Sequence, residues 1–328
     1  MVGPAASGRG FGLRVLVTGA TGFVGAAVMK ILRSHDGIDP IGLARSTYSS
    51  APGDIRACGD LDQVEDWGKL LANVNAVLHC AARAHVLREE AVEPLAAFRR
   101  SNVEPTLKLA RQAAGAGVRR FVFVSSIGVL GRAQEHPFSA MDEAHPEDPY
   151  AISKWEAERG LWAVARETGL EVVVVRPPLV YGPGAPGNFG RLLEWVANGV
   201  PLPLGSVDNR RSLVGLDNLV DLLVTCLDHP AAANQVFLAG DGEDLSTTEL
   251  LRSLAAALGR HSRLIPVSPK VLRFGARLVG MSATAGRLLD SLQVDISHTH
   301  KTLGWTPPVG VTEGLRRAVA PLIKPHNK

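Results

Sequence analysis

An apolar run, Arg14-Val-Leu-Val-Thr18, ends directly in Gly19-Ala-Thr-Gly22-Phe-Val-Gly25, where a helical pattern begins and runs to Ser34. A short buried strand, a glycine-rich turn and a helix in immediate succession leave few folds open. The alternation then continues. Pro40-Ile-Gly-Leu-Ala44, Ala76-Val-Leu-His79, Phe121-Val-Phe-Val124 and Glu171-Val-Val-Val-Val175 read as further buried strands, with helices over Leu95–Ala116 and Tyr150–Thr168. Near-continuous apolar strands between helices imply a parallel sheet covered on both faces, the doubly wound α/β architecture. Ligands of that architecture lie at the carboxyl ends of the strands.

The loop Gly19, Ala20, Thr21, Gly22, Phe23, Val24, Gly25 sits at such an end. Its glycines permit a tight turn and close backbone approach to a pyrophosphate, and the helix start offers unpaired N–H donors. The spacing GxxGxxG departs from the GxGxxG of the common Rossmann dinucleotide fingerprint. An Asp or Glu about 20 residues further on usually holds the ribose hydroxyl of NAD. Here Ala44-Arg45-Ser46 takes that place. An arginine there pairs with a 2′-phosphate, so NADP(H) is favoured, with NAD(H) possible. Stacking on adenine or simple exposure are the other readings of Arg45.

After Arg176 the texture changes. Pro177, Pro178, Pro183, Pro186, Pro201 and Pro203 mark irregular connections. Leu213–Leu216 and Gln235–Leu238 read as returns to the sheet around a helix at Asn218–Leu227, and Ser246-Thr-Thr-Glu249 has capping-box form. The expected organisation is a flexible lead-in at 1–12 and a Rossmann domain at 13–177 rejoined by 210–238. A smaller, mostly helical C-terminal substrate lobe takes 178–209 and 239–324.

Composition narrows the class. The 35 basic and 32 acidic residues leave a net charge of +3 with no basic block, which argues against nucleic acid. Cys58, Cys80 and Cys226 are odd in number and widely spaced, as in a reducing compartment. No signal-peptide core appears, and Val271 to Leu292, the longest apolar stretch, is interrupted by Arg273, Arg277, Arg287 and Asp290. It reads as an amphipathic cap helix, and the protein as cytoplasmic, without membrane contact. His79, His85 and His145 show no metal spacing and read as structural.

Tyr150 and Lys154 in Pro149-Tyr-Ala-Ile-Ser-Lys154 stand four apart on a helix and share a face. Asp148 is a plausible N-cap, with Pro149 in the first turn. A phenol has a reference pKa of about 10, and reaching neutrality takes about 4 kcal/mol. One ammonium at about 4–5 Å, at an effective dielectric of about 20, supplies about 3–4 kcal/mol.

With Ser125-Ser126 after a strand, the chain resembles the extended short-chain dehydrogenase/reductase family, which includes nucleotide-sugar epimerases, dehydratases and reductases. Asp60-Leu61, His79-Cys-Ala-Ala82, Asn102-Val103, Arg176-Pro-Pro-Leu-Val-Tyr-Gly-Pro183, Arg211-Ser-Leu-Val-Gly-Leu-Asp217 and Leu303-Gly-Trp-Thr-Pro307 extend the match from about Leu13 to Leu322. The resemblance implies Ser126, Tyr150 and Lys154 as the catalytic set. It implies Gly19, Gly22 and Gly25 around the diphosphate, Asp60 and Leu61 beside adenine, and Ala81, Ala82 and Arg83 along the cofactor. Lys154 would also bind the nicotinamide ribose, and Pro177 would meet the carboxamide. Asn188 and Arg211, with Arg210 as rival, would hold the diphosphate of a UDP-sugar substrate. A homodimer through Leu95–Ala116 and Tyr150–Thr168 is usual in the family.

The reaction is narrowed by a departure. Sugar 4,6-dehydratases follow the catalytic hydroxyl with an Asp-Glu pair, whereas Ile127, Gly128 and Val129 stand here. Stretches such as His85-Val86, Pro94-Leu-Ala-Ala-Phe98, Pro146-Glu-Asp-Pro-Tyr150 and Asn209-Arg-Arg-Ser-Leu213 resemble bacterial 4-ketoreductases of UDP-2-acetamido-2,6-dideoxy-xylo-hexos-4-ulose. The expectation is therefore NAD(P)H-dependent reduction of a UDP-4-keto-6-deoxy-N-acetylhexosamine in surface-polysaccharide synthesis, with a UDP-hexose 4-epimerase keeping tightly bound NAD as the alternative. A non-catalytic NAD(P)-sensing relative would have no need of Tyr150 and Lys154.

Overall fold

The structure, a computed structural model, describes residues 12–46, 52–84, 93–132 and 136–323. The lead-in at 1–11, His85 and residue 324 lie outside them.

Strands β1 (Leu13–Thr18), β2 (Ile38–Ala44), β3 (Ile55–Ala57), β4 (Ala76–His79), β5 (Arg120–Val124), β6 (Glu171–Arg176), β7 (Leu179–Tyr181), β8 (Arg211–Gly215), β9 (Gln235–Leu238) and β10 (Asp244–Leu245) form two sheets. The larger runs β3-β2-β1-β4-β5-β6-β9, with every pair parallel. Strand order reverses between β1 and β4, and the glycine loop leaves β1 at that point. Such a reversal splays the flanking connections apart and opens the crevice that doubly wound folds use.

Successive residues of one strand serve opposite cores. Val15, Val17, Leu78, Val122, Val173 and Val175 pack under helices Phe23–Arg33 and Leu216–Asp228. Leu16, Val77, Phe121, Phe123, Val172 and Val174 pack under helices Glu104–Gly115 and Pro149–Thr168. Burial on both faces is why these strands carry no alternating polar residues. A third core, around Tyr181, Phe189, Leu213, Leu251 and Leu315, belongs to the C-terminal part.

Three expectations need correction. Leu95–Ala116 is not one helix: Pro94–Asn102 and Glu104–Gly115 meet at Val103. Pro105 lacks an N–H and its ring crowds the preceding turn, so it starts a second helix rather than continuing the first. The segment around Leu213 does not rejoin the main sheet. As β8 it pairs with β7 and β10 in a separate three-stranded sheet, while Gln235–Leu238 takes the edge beside β6. Val271–Leu292 is not a single cap helix but two, Pro269–Leu278 and Ser282–Leu289. Gly280, at φ +69°, breaks the run in a conformation glycine adopts freely.

Candidate active site

A cleft of about 520 Å³ opens at the carboxyl end of the main sheet. Gly19, Gly22, Phe23, Val24 and Gly25 line it from the β1 side, with Ala82 after β4 and Ser126 after β5. Tyr150, Lys154, Pro177, Asn188 and Arg211 complete the same wall. Ala20, Thr21, Arg45, Asp60, Leu61, Ala81 and Arg83 do not line it. Ala20 is buried beneath the loop, its N–H donating to Leu43 O at 2.9 Å. Arg83 donates its backbone N–H to Asn102 Oδ1 at 2.7 Å and lays its guanidinium 5.3 Å from the Phe98 ring centre.

The loop fits a dinucleotide diphosphate. Gly19 adopts φ +68°, and a Cβ there would stand 2.9 Å from the Ala81 backbone. A Cβ on Gly25 would collide with the Gly19 carbonyl oxygen. Glycine is therefore required at both places by geometry, which brings the turn close to the β4 end. Gly22 stands at the N-cap of helix Phe23–Arg33, where no side chain supplies a capping bond. Its first N–H groups and positive dipole end face the cleft as an anion site.

Asp148 accepts the Ala151 N–H at 2.9 Å, and Pro149 follows in the first turn, so Pro149–Thr168 starts where the sequence places it. Tyr150 stands one residue into that helix, edge-on to Phe98 with ring centres 6.0 Å apart. Lys154 is buried one turn later. Its Nζ donates to Val124 O at 2.8 Å and lies 4.5 Å from the Phe123 ring centre. Ser126 caps the short 3₁₀ turn Ile127–Leu130, its Oγ accepting from the Gly128 N–H at 3.1 Å.

The expected lowering of the phenol's pKa does not occur in this arrangement. Burial, and then the nearby Asp148 carboxylate, push Tyr150 up to about 12. Burial pushes Lys154 down to about 8 against the opposing pull of Cys80 and Glu158. The ammonium is committed to a carbonyl and a ring face, so spacing on a helix does not by itself deliver its charge to the phenol.

Glu158 carried no sequence signal, whereas Asn102, Arg176 and His79 lay in matching stretches whose packing role the sequence left unread. Glu158 is fully buried and holds Arg176 by two bonds, Nε at 3.1 Å and Nη2 at 2.6 Å, while accepting from Ser125 Oγ at 2.5 Å. This network ties helix Pro149–Thr168 to the ends of β5 and β6. Asn102 donates to Arg83 O and Ser153 Oγ, each at 3.1 Å, fastening the stretch after β4 to the same helix. His79 is structural: Thr18 and Thr106 hydroxyls bond its two ring nitrogens at 2.8 and 2.9 Å. Burial, then the Lys154 charge, push it down to about 3. His145 is exposed, with its backbone N–H donating to Val129 O at 3.0 Å.

At the lobe side, Arg211 lines the cleft while Arg210 is exposed and does not. Arg211 Nη1 donates to Asp290 O at 2.8 Å, and burial lowers its pKa against the pull of the Asp290 carboxylate. Arg45 and Asp60 form an exposed ion pair of 2.7 Å beside the end of β2. The arginine expected at a 2′-phosphate and the acid expected beside adenine thus stand together.

Residues 15–240 match the NAD dependent epimerase/dehydratase family, and the chain belongs to it. It is an enzyme of the extended short-chain dehydrogenase/reductase kind. A UDP-glucose 4-epimerase of Vibrio cholerae is 44% identical over 317 residues, covering 96% of this chain and 97% of that protein. Among solved structures, the UDP-glucose 4-epimerase of Thermotoga maritima with UDP-glucose superimposes with a TM-score of 0.75 at 26% identity, covering 93% of this chain and 97% of that one. MoeE5 in complex with UDP-glucose and NAD gives 0.73 at 27%, with the same coverage.

Proposed function

We propose that this chain transfers a hydride at C4 of a UDP-linked hexose derivative. The observation that carries the reading is the convergence of Ser126, Tyr150 and Lys154 with the glycine loop, Asn188 and Arg211 on one cleft. Bound nicotinamide would supply or take the hydride. Tyr150 moves the proton at the C4 oxygen, Ser126 Oγ polarises that oxygen, and Lys154 orients the ribose and the phenol. Gly19, Gly22 and Gly25 hold the cofactor diphosphate, with Pro177 at the carboxamide. Asn188 and the guanidinium nitrogens of Arg211 not used by Asp290 hold the substrate diphosphate. Relatives named for or solved with UDP-glucose support a UDP-sugar.

Reduction of a UDP-4-keto-6-deoxy-N-acetylhexosamine is the direction favoured by the stretches that resemble 4-ketoreductases and by Arg45 at the end of the second strand. Ile127 and Gly128, which line the cleft beside Ser126, bring no acid or base for dehydration. A second reading, a 4-epimerase that retains NAD, is favoured by the nearly full-length Vibrio cholerae relative. For the cofactor, Arg45 supports a 2′-phosphate and Asp60 a free ribose hydroxyl, so NADP(H) is proposed alongside NAD(H). A homodimer across Glu104–Gly115 and Pro149–Thr168 belongs to the same reading, and mass in solution tests it.

The deciding assay supplies the 4-keto sugar nucleotide with NADPH or NADH. Consumption of one cofactor per sugar supports the reductase, and the ratio of the two rates tests Arg45. Interconversion of UDP-glucose and UDP-galactose without net cofactor change moves the assignment to the epimerase. Absence of both reactions overturns the C4 reading.

A further inference from the structure

Between Glu249 and Asp290 the chain carries seven Lys and Arg and no Asp or Glu. Twelve large apolar side chains stand exposed among the described residues. Six of them, Ile265, Val271, Phe274, Leu278, Val279 and Met281, fall within this basic stretch. The two properties meet on helix Pro269–Leu278, which buries none of its residues fully.

Val271, Phe274 and Leu278 recur at i, i+3 and i+7 and form one outward stripe, 60%, 64% and 73% exposed. Leu272 packs on the lobe core instead, so the stripe is a second apolar face turned from the protein. Lys270 and Arg277 border one edge of it, with Arg273 further round the helix. Arg273 reaches Asp290 at 2.6 Å, and Arg273 and Arg277 both line a cavity that shares Arg211 and Arg287 with the cleft.

We propose that this helix docks the enzyme on an anionic lipid surface. An apolar stripe bordered by basic side chains matches a bilayer interface, where the stripe enters the acyl boundary and the cations meet headgroup phosphates. A second copy of the chain would bring the same cations face to face, an arrangement that repels. The inference concerns where the enzyme works and does not depend on which C4 reaction it performs. The docking is peripheral and requires no spanning segment. Among the described residues no helix is long and apolar enough to cross a membrane.

The test is flotation of the full chain with vesicles of phosphatidylcholine alone and of phosphatidylcholine mixed with phosphatidylglycerol. The protein is expected to float with the mixed vesicles and to be released by salt. Replacing Val271, Phe274 and Leu278 together by serine lowers the bound fraction at least about tenfold while oxidoreductase turnover in solution is kept. Lys270→Glu, on the exposed flank, weakens binding about fivefold or more without touching the stripe. Failure of the native chain to bind the mixed vesicles overturns the proposal. So does undiminished binding by both variants, or a native dimer that the triple substitution converts to monomer.

Discussion

The helix that carries Tyr150 and Lys154 and the helix Pro269–Leu278 border two cavities that share Arg211 and Arg287, yet they treat their side chains in opposite ways. The first buries Lys154 and Glu158, and each finds a partner within its own domain: Val124 O and Phe123 for the lysine, Arg176 and Ser125 for the glutamate. The second leaves Val271, Phe274 and Leu278 in water. Buried charge without a partner is costly, so a helix that places polar groups inside must be locked by its neighbours. Exposed apolar surface costs less per residue and is tolerated where something outside the chain covers it. One helix is rigid chemistry, the other an open face.

The largest effect that would break this comparison concerns Glu158. Glu158→Ala leaves the Arg176 guanidinium buried without its carboxylate, and a loss of about 3–5 kcal/mol is expected in urea unfolding. A loss near zero would mean that helix Pro149–Thr168 is not locked by this pair. Tyr150→Phe removes only the hydroxyl. Turnover should fall about 10²–10⁴-fold while unfolding stays within about 1 kcal/mol of the native chain. An unchanged turnover would remove Tyr150 from the chemistry.

The native enzyme should also show a pH signature. Lys154 is pushed down to about 8 by burial, so its ammonium is present below that pH and lost above it. kcat/KM for the sugar is expected to decline as pH rises through about 8, a limb that the Lys154→Met variant lacks. The smallest effect sharpens the other side. Phe274→Ser should change stability by no more than about 0.5 kcal/mol, because the ring touches mostly water. A loss of several kcal/mol would show the stripe already packed in the assembled protein.

Much of the architecture could be read from the chain. The β1–loop–helix start, the Asp148-Pro149 helix start and the capping box at Ser246-Thr-Thr-Glu249 all appear where local rules put them, the last with both reciprocal bonds made. Their causes lie within a few residues: apolar continuity, a missing Cβ, a short side chain beside unpaired N–H groups. The break at Val103 was equally local, and Pro105 signals it. The separate pairing of β8 was not local, since an apolar run does not say which strand it will meet.

The amino-acid order by itself determined a doubly wound sheet, the place of its glycine loop and the presence of Ser126, Tyr150 and Lys154 along one sheet end. Those follow from periodicity and from backbone freedom at single positions. Tertiary structure alone decided that Lys154 spends its charge on Val124 and Phe123, that Glu158 and Asn102 fasten helix Pro149–Thr168, and that Val271, Phe274 and Leu278 face outward. Each of these depends on which distant segments come to surround a side chain. Burial, partner and pKa are properties of that surrounding and are not written in the residue or its spacing.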